Sequence, residues 1–448
     1  MGTYMNLYKE KLTTPEKAVQ LVKSNDLVRY GHFIMAPPAL DEALSKRVGE
    51  MTNVTVKGIC PMFPVKVALA DPDRSTFFYV SAHLSAFDRH LGDKGLCHYS
   101  PANYGLSPYM LERGTMARPN VVMTMTTPMD ENGYFNLGTA NSYTLDLALK
   151  ADYVVVEVNE NVPRCLGGVK ESIHISDVTC IVENNSPLFA TPEDFPVSDE
   201  ETKIARLLVE RIKNGSCLQF GIGGLPNTIG KLLVQSGLKD LGIHSEMMAD
   251  CYVDLVDKGI VTGRKKNVDT GKIVYTFAIG SNKMYKFMDN NPTLASYPVN
   301  ITNSPEYIGL NDNVVAINNA VNVDLYGQIA SESEGFRQIS GVGGQLDFTI
   351  GATRSKGGES YICITSTKKL KDKTASRLVP ILSPGTIVSV PRHCASNIVT
   401  EYGIVCMEGI STYERAERLI SIAHPDFKDE LVKHATDMGI WSRSNKIL

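Results

Sequence analysis

The sequence has little of what marks a disulfide-stabilised, metal-binding or membrane-spanning protein. Its nine cysteines are scattered and no CxxC pair occurs, which favours reduced, buried thiols over a disulfide framework or a zinc site. No uninterrupted apolar run approaches the roughly 20 residues that a membrane helix needs. The nine histidines include no pair spaced i,i+4 that would suit a metal. We therefore predict a cytoplasmic protein without a bound metal.

An excess of charge of one sign is also absent. The chain has 45 Lys and Arg residues against 49 Asp and Glu residues, which gives a formal net charge of −4. No basic patch for nucleic acid or for an anionic membrane follows from this balance, so we expect neither as a partner. What is present is a chain of 448 residues that is 43% hydrophobic, which is enough for two or three domains.

The sequence repeats one plan in its two halves. Residues 13–47 and residues 198–237 each contain a polar helix start, an amphipathic helix, an Asn-containing turn, a short apolar strand, a glycine and a second helix. A fixed plan that recurs after roughly 190 residues indicates an internal duplication.

The two helix starts have the spacing of a capping box. Thr13 is followed by Glu16, and Ser198 is followed by Glu201. In a capping box the hydroxyl and the carboxylate each bind the backbone N–H of the other residue. We therefore predict a helix beginning at each of these positions.

Short apolar runs bounded by polar turns predict buried strands of a parallel sheet. Examples are residues 153–158, 313–317 and 361–365, which are rich in β-branched residues. Strands that alternate with helices indicate an α/β fold, here two similar α/β domains with largely parallel sheets that arise from the duplication. We place an N-terminal domain at residues 1–190 and a C-terminal domain, which carries the candidate catalytic glutamate described below, at residues 198–448.

A glycine-rich loop follows the first strand of the second repeat. It consists of Gly221, Ile222, Gly223, Gly224 and Leu225. Glycines let a ligand approach the backbone, and the helix start that follows favours negative charge. The alternative is a tight strand-to-helix connection, because the loop lacks the spacing of a dinucleotide or P-loop motif. A turn common to both repeats explains Gly31 and Gly221. It does not explain Gly223 and Gly224, which need a reason beyond the shared turn, such as the approach of a ligand.

A carboxylate stands directly after a brief predicted strand at residues 241–243. Glu246 lies at the carboxyl end of that strand, where ligands and catalytic groups gather in open α/β sheets. Its neighbours Met247 and Met248 are apolar, and a desolvated carboxylate is a better nucleophile. The alternative is a charge that complements the dipole of a following helix.

A third glycine-rich tract occupies residues 340–348. Gly341, Gly343 and Gly344 lie there beside polar residues, so that backbone N–H groups can converge on an anion or oxyanion. The alternative is a glycine-rich bend that supports the sheet.

These three segments occur in a fixed order with four others. The others are ITNSPEYIG from residue 301, VDLYGQIASE from residue 323, RLVPIL from residue 377 and VTEYGI from residue 399. Together they resemble the family I CoA-transferases, in the acetyl-CoA hydrolase/transferase branch. The strongest likeness is to the butyryl-CoA:acetate and 4-hydroxybutyrate CoA-transferases of anaerobic bacteria, and it covers residues 8–433.

The resemblance implies roles for residues at matching positions. Glu246 matches the family's nucleophile, Asn303 a side-chain donor to the thioester oxygen, and Gly344 a backbone donor, with Gly343 beside it. The segment from Gly221 to Leu225 matches a loop that contacts CoA.

A lysine that contacts CoA in relatives also has a match here. Lys371 fits it by spacing, although Lys368 and Lys369 lie close to it. The identity of the contacting lysine therefore stays open among these three.

The implied reaction is transfer of CoA from a short-chain acyl-CoA, such as butyryl-CoA, to a free carboxylate such as acetate. It would run by a ping-pong mechanism through a glutamyl-CoA thioester, with no cofactor beyond CoA itself, in a homo-oligomer. Three alternatives stay open: an acyl-CoA hydrolase, a transferase specific for 4-hydroxybutyrate or succinate, and a non-catalytic CoA- or nucleotide-binding protein.

Overall fold

The computed structural model of the chain describes residues 2–192, 196–221 and 223–442. Contacts divide these residues into two compact units. Unit 1 comprises the residues up to 192 together with Ser245–Asp250 and Lys272–Asn303, and unit 2 comprises the rest. Two segments from the second half of the chain, one of which carries Glu246, therefore fold with the first half. The division into duplicated halves at 1–190 and 198–448 stays a prediction about the sequence repeat.

Unit 1 is built on a seven-stranded sheet in which every neighbouring pair is parallel. In spatial order its strands are His98–Tyr99, Phe77–Ser81, Val54–Gly58, Leu27–Tyr30, Val121–Thr126, Tyr153–Val158 and Cys180–Glu183. The interior strand Val121–Thr126 is buried along its whole length, as expected for a sheet covered on both faces. The strand predicted at residues 153–158 is confirmed with the same bounds.

Smaller elements complete unit 1. Paired short strands are Tyr134–Asn136 with Ser172–His174, Met247–Met248 with Phe277–Ala278, and Ile273–Tyr275 with Leu294–Ser296. Its α-helices are Gly2–Lys11, Pro15–Ala18, Pro38–Ser45, Lys66–Ala70, Ala86–Asp93, Ser107–Glu112, Thr144–Ala148, Asn282–Met288 and Val299–Thr302. A core of aliphatic side chains and Phe77, Tyr30 and Tyr79 packs between the sheet and these helices.

Unit 2 contains a second largely parallel sheet. In spatial order its strands are Gly242–His244, Cys217–Phe220, Val314–Asn319, Glu359–Cys363, Asn397–Thr400 and Gly403–Cys406, and the last pair is antiparallel. A parallel sheet with helices in each unit confirms the predicted α/β fold class.

Helices and short strands surround this second sheet. The helices are Asp199–Val209, Gly224–Gln235, Asp250–Asp257 (whose first residue belongs to unit 1), Pro305–Ile308, Gln345–Arg354, Thr412–Ser421 and Pro425–Asp437. The short strands are Asn322–Asp324, Ile329–Ala330, Ser333–Glu334, Arg337–Gln338, Thr367–Lys369, Thr374–Ser376 and Leu378–Val379.

One predicted capping box is confirmed and the other is wrong. Ser198 and Glu201 form the reciprocal pair at the start of the helix Asp199–Val209. In the first half the capping residue is Thr14, whose hydroxyl accepts from the backbone of Lys17. Because Pro15 takes the first helical position, which suits its fixed φ and missing N–H, the cap falls one residue later than predicted. The Thr13 backbone N–H instead binds the carbonyl of Ile181.

Close packing explains one of the two matching glycines, Gly31. Neither Gly31 nor Gly221 has a positive φ. A Cβ atom on Gly31 would lie 2.3 Å from both the Met35 carbonyl oxygen and the Thr124 hydroxyl. On Gly221 it would meet the Asn318 side chain at 3.3 Å. The backbone turn itself does not demand glycine at either position, but the neighbouring atoms leave no room for a side chain at Gly31.

We predict that Gly31→Ala lowers the free energy of unfolding by about 1–3 kcal/mol, because an added methyl group must displace its neighbours. Gly92→Ala is the matched control, since that helical glycine meets its nearest atom only at 3.9 Å and alanine is the better helix former. Urea unfolding of both variants measures the difference. Equal stability of the two variants would contradict the packing argument.

Candidate active site

The backbone around Glu246 is fixed on both sides by hydrogen bonds within unit 1. Its carbonyl oxygen accepts from the backbone N–H of Thr276 at 3.0 Å and of Phe277 at 3.3 Å. The preceding residue, Ser245, donates its N–H to the Val274 carbonyl at 3.0 Å. The glutamate therefore projects from a well-held extended segment, and this gives its side chain a defined direction.

The Glu246 carboxylate is half-buried and binds an amide. Asn303 Nδ2 donates to Glu246 Oε2 at 2.6 Å. Asn303 is only 1% exposed and follows the short helix Val299–Thr302, where its own N–H binds the Val299 carbonyl. An amide held in this way is a preorganised neutral donor beside a carboxylate.

Three aromatic side chains form a cluster that includes Phe277, whose backbone N–H binds the Glu246 carbonyl. The rings of Phe33 and Phe277 stack with centroids 3.7 Å apart, and the ring of Tyr104 meets both edge-on at 6.1 and 6.3 Å. Burial raises the pKa of the Tyr104 phenol well above its usual range; its hydrogen bond with Ser142 opposes this, and the charge of Glu246 adds to it. The charge of Glu246 therefore acts on a buried phenol, and its own half-buried carboxylate is partly desolvated, which favours a nucleophile.

The glycine loop opens a helix in unit 2. Gly221 continues the strand Cys217–Phe220, and its N–H binds the Ile317 carbonyl. Gly223 has φ 131° and caps the helix Gly224–Gln235 without any side-chain cap, so its conformation requires glycine. Ile222 lies outside the described residues. Uncapped N–H groups at the start of a long helix suit an anionic group of a ligand.

A small cavity lies next to this loop within unit 2. It has a volume of about 190 Å³. Its lining comprises Glu201, Ile204, Leu225, Asn319, Ala320, Cys363, Ile364, Thr365 and Arg377. Leu225 connects the cavity to the glycine loop.

The second glycine tract also opens a helix of unit 2. Gly343 has φ 56°, and Gly344 caps the helix Gln345–Arg354 with no side-chain contribution. Both glycine tracts therefore end at the start of a helix. The first backbone N–H groups of each helix are the donors available to a ligand there.

Lys371 is exposed in the turn between the strands Thr367–Lys369 and Thr374–Ser376. Lys369 is exposed as well, whereas Lys368 forms an ion pair with Glu334.

The structure brings Glu246 and Asn303 into direct contact in unit 1, and it places the two glycine tracts and Lys371 in unit 2. Sequence reasoning missed Tyr104, Ser142 and Phe277. Phe277 binds the Glu246 carbonyl through its backbone N–H, the ring of Tyr104 packs on Phe277, and the Tyr104 hydroxyl donates to Ser142. No motif surrounds these three residues, so the sequence offered no signal for them. Within residues 2–192, 196–221 and 223–442, no group of three or more His, Cys, Asp and Glu side chains is arranged to hold a metal ion. No helix in this described part of the chain combines the length and the apolar character needed to cross a membrane.

Comparison with known proteins gives a consistent result over the whole chain. A family model described as Acetyl-CoA hydrolase/transferase N-terminal domain matches residues 2–191, and one described as Acetyl-CoA hydrolase/transferase C-terminal domain matches residues 280–435. The butyryl-CoA:acetate CoA-transferase of Anaerostipes caccae is 45% identical over 98% of this chain and 99% of that protein.

Two further relatives agree with this match. A protein of Syntrophomonas wolfei named "Probable butyrate:acetyl-CoA coenzyme A-transferase" is 44% identical over 98% of each chain. The crystal structure of RipA from Yersinia pestis is 36% identical and superposes with a TM-score of 0.89 over 98% of this chain and 100% of that one. The chain therefore belongs to the acetyl-CoA hydrolase/transferase family and is an acyl-CoA:carboxylate CoA-transferase.

Proposed function

We propose that the enzyme transfers CoA from a short-chain acyl-CoA, such as butyryl-CoA, to acetate by a ping-pong mechanism through a thioester on Glu246. The observation that carries this proposal is the contact between the half-buried Glu246 carboxylate and the Asn303 amide at 2.6 Å. The choice of butyryl-CoA and acetate follows the names of the two similar relatives.

In the first step a carboxylate oxygen of Glu246 attacks the carbonyl carbon of the acyl thioester. The carbon–sulfur bond breaks, which releases CoA as a thiolate and leaves a mixed anhydride between the acyl group and Glu246. The thiolate then attacks the side-chain carbonyl carbon of Glu246, the anhydride bond to the acyl carboxylate breaks, and the first acid leaves. A second acid reverses these steps. No oxidation state changes, so the chemistry requires no cofactor beyond CoA.

Each step passes through a tetrahedral oxyanion, which needs hydrogen-bond donors that are already in place. Asn303 is the side-chain donor in this proposal, and the backbone N–H of Gly344 is the second donor, with Gly343 beside it. Asn303 fits because it already points a neutral N–H at the reacting carboxylate.

CoA binding is assigned to the loops of unit 2. The segment Gly221–Leu225, including Ile222, would contact CoA through backbone N–H groups at the start of a helix. Lys371 would pair with a phosphate group, which its exposure permits. Contacts to this long, non-reacting part of the substrate supply binding energy that is used at the thioester.

We expect incubation with butyryl-CoA alone to attach CoA to the peptide that contains Glu246, as seen by mass spectrometry after proteolysis. Free CoA at the same concentration is the control and should leave that peptide unmodified. A CoA adduct on another residue, or none in rapidly quenched samples, would refute the proposed nucleophile.

A kinetic screen identifies the acceptor and separates transfer from hydrolysis. With butyryl-CoA as donor, we expect acetate to give the highest kcat/KM among acetate, propionate, butyrate, 4-hydroxybutyrate and succinate. Thiol release should be slow with or without acetate, because transfer conserves the thioester as acetyl-CoA. Rapid release of free thiol without an acid would instead indicate an acyl-CoA hydrolase. The homo-oligomeric state and the cytoplasmic location stay predictions.

A further inference from the structure

The small cavity beside the glycine loop lies at the carboxyl ends of three neighbouring parallel strands of unit 2. Two of these strands, Val314–Asn319 and Glu359–Cys363, end with residues of its lining. The third strand, Cys217–Phe220, leads through the glycine loop to Leu225, which also lines the cavity. Ligands of open α/β sheets bind at this edge, so the cavity lies where a ligand is expected.

The size of the cavity suits one part of a CoA molecule but not the whole of it. Its volume of about 190 Å³ is below the range of about 300–1,000 Å³ for pockets that enclose a drug-sized ligand. Asn319 in its lining is exposed to solvent, which gives a ligand a way in. Buried apolar side chains form part of the wall, namely Ile204, Leu225, Ala320 and Ile364. A small, flat group with some polar atoms would fill such a space.

A cation in the lining has hydrogen-bond donors to spare. The guanidinium of Arg377 donates from Nε to the Val321 carbonyl and from Nη1 to Thr365 Oγ1. Among the described residues these are its only hydrogen bonds, and no carboxylate forms an ion pair with it. A guanidinium carries five N–H donors in a fixed plane, so the two on Nη2 remain for a ligand.

A carboxylate in the lining has an acceptor to spare. Glu201 Oε2 accepts from the backbone N–H of Ser198 in the capping box, and no described residue donates to Oε1. This oxygen lies beside the glycine loop, since a Cβ atom built on Gly224 would lie 4.0 Å from it. Burial lowers the pKa of the Arg377 guanidinium, and the charges of Glu201 and two other glutamates oppose this. The cavity therefore offers an acceptor and donors near each other.

These groups distinguish between the chemical parts of CoA. The phosphates are disfavoured inside the cavity, because the carboxylate repels them. Adenine has an exocyclic amine that donates beside a ring nitrogen that accepts, and its flat faces pack well against apolar side chains. The pantetheine amides also have donors and acceptors, but along a flexible chain and not on one edge of a ring. A carboxylate near a guanidinium matches the polar edge of adenine.

We propose that the cavity binds the adenine of CoA, that Glu201 Oε1 accepts a hydrogen bond from the exocyclic amine, and that Arg377 Nη2 donates to a ring nitrogen. The inference rests on the proposed function for its assignment of CoA to the loops of unit 2. It adds the two side chains that recognise the base, and it leaves the phosphates to donors outside the cavity.

The test compares butyryl-CoA with butyryl-deamino-CoA, in which a carbonyl oxygen replaces the amine of the base. At saturating acetate, we expect the wild-type kcat/KM to be about 10–100-fold lower for the analogue. The reason is that a hydrogen bond to a charged group is lost and two acceptors then face each other. Equal kcat/KM values for the two donors in the wild-type enzyme would overturn the proposal without the use of any variant.

Glu201→Gln should remove most of this preference. Glutamine serves in a capping box as glutamate does, so the helix Asp199–Val209 keeps its start, while the new amide N–H can donate to the carbonyl of the analogue. We expect the two donors to differ by no more than about threefold in this variant. Glu414→Gln is the matched control, because it makes the same change in the capping box of the helix Thr412–Ser421 and does not touch the lining of the cavity. The control should keep the wild-type preference.

Two results with the variants would also overturn the proposal. An undiminished preference in Glu201→Gln would mean that the base is recognised elsewhere. An equal loss of kcat/KM with both donors would mean that another part of CoA, such as the pantetheine arm, occupies the cavity. The ratio compares donors with the same acyl group and does not depend on which residue carries CoA, so a failure of the Glu246 assignment is detected separately by the mass of the adduct.

Discussion

Replacing Glu246 with glutamine should lower the rate of CoA exchange by at least about 10⁴-fold, because the attacking oxygen is replaced by an amide that cannot form the thioester link. Glutamine keeps the size of the side chain. Its amide oxygen can also keep the hydrogen bond that Asn303 donates to Glu246 Oε2. The protein should therefore fold normally while it loses the reaction, and an exchange assay with labelled acetate measures the effect.

The matched control is Glu306→Gln. Glu306 is exposed and forms an ion pair with Arg354, and surface pairs of this kind contribute little to stability. We expect exchange within twofold of the wild type in this control. Residual exchange above a tenth of the wild-type rate in Glu246→Gln would rule out Glu246 as the nucleophile.

Asn303→Ala should lower kcat by about 10²–10³-fold, the usual effect of removing one oxyanion donor. The side chain is 1% exposed and contacts the carboxylate directly, so both the orientation of Glu246 and the charge stabilisation are lost. KM for acyl-CoA should change much less than kcat, because the lost interaction strengthens only as the oxyanion forms.

Two further variants sharpen this prediction. Asn303→Asp would place a second carboxylate beside Glu246, which raises the pKa of one member of such a pair. Because the nucleophile must be ionised, the activity of Asn303→Asp should rise more steeply with pH than that of the wild type. Asn120→Ala is the control: its amide binds Leu27 and Asp152 at the amino end of the sheet strands, so it should lower stability but not kcat. Equal kcat values in Asn303→Ala and Asn120→Ala would contradict the assignment.

Local chemistry in the sequence predicted much of the secondary structure. The run of β-branched residues at Tyr153–Val158 became a buried strand with the predicted bounds, and the pair Ser198 and Glu201 became a capping box. Both features depend on residues at most a few positions apart. The error at Thr13 has a local cause as well, since Pro15 moved the helix start by one residue.

The spacing of residues in the sequence could not by itself predict which residues come together at the site. Glu246 and Asn303 are 57 residues apart, and only the family resemblance linked them. Tyr104 and Ser142 belong to loops whose positions are set by the sheet of unit 1, and neither stands in a recognisable motif. Phe277 reaches Phe33 because a distant segment folds with unit 1. Such contacts follow from tertiary packing, which period and propensity do not specify.

Because unit 1 takes in Lys272–Asn303, the order of synthesis on the ribosome matters for its assembly. The first 192 residues emerge well before Asn303, and at 5–20 residues per second the remaining stretch takes on the order of ten seconds. A nascent chain of that length already contains all seven strands of the sheet but still lacks Phe277. The ring of Phe33 therefore has no stacking partner until Phe277, in the second half of the chain, has been synthesised.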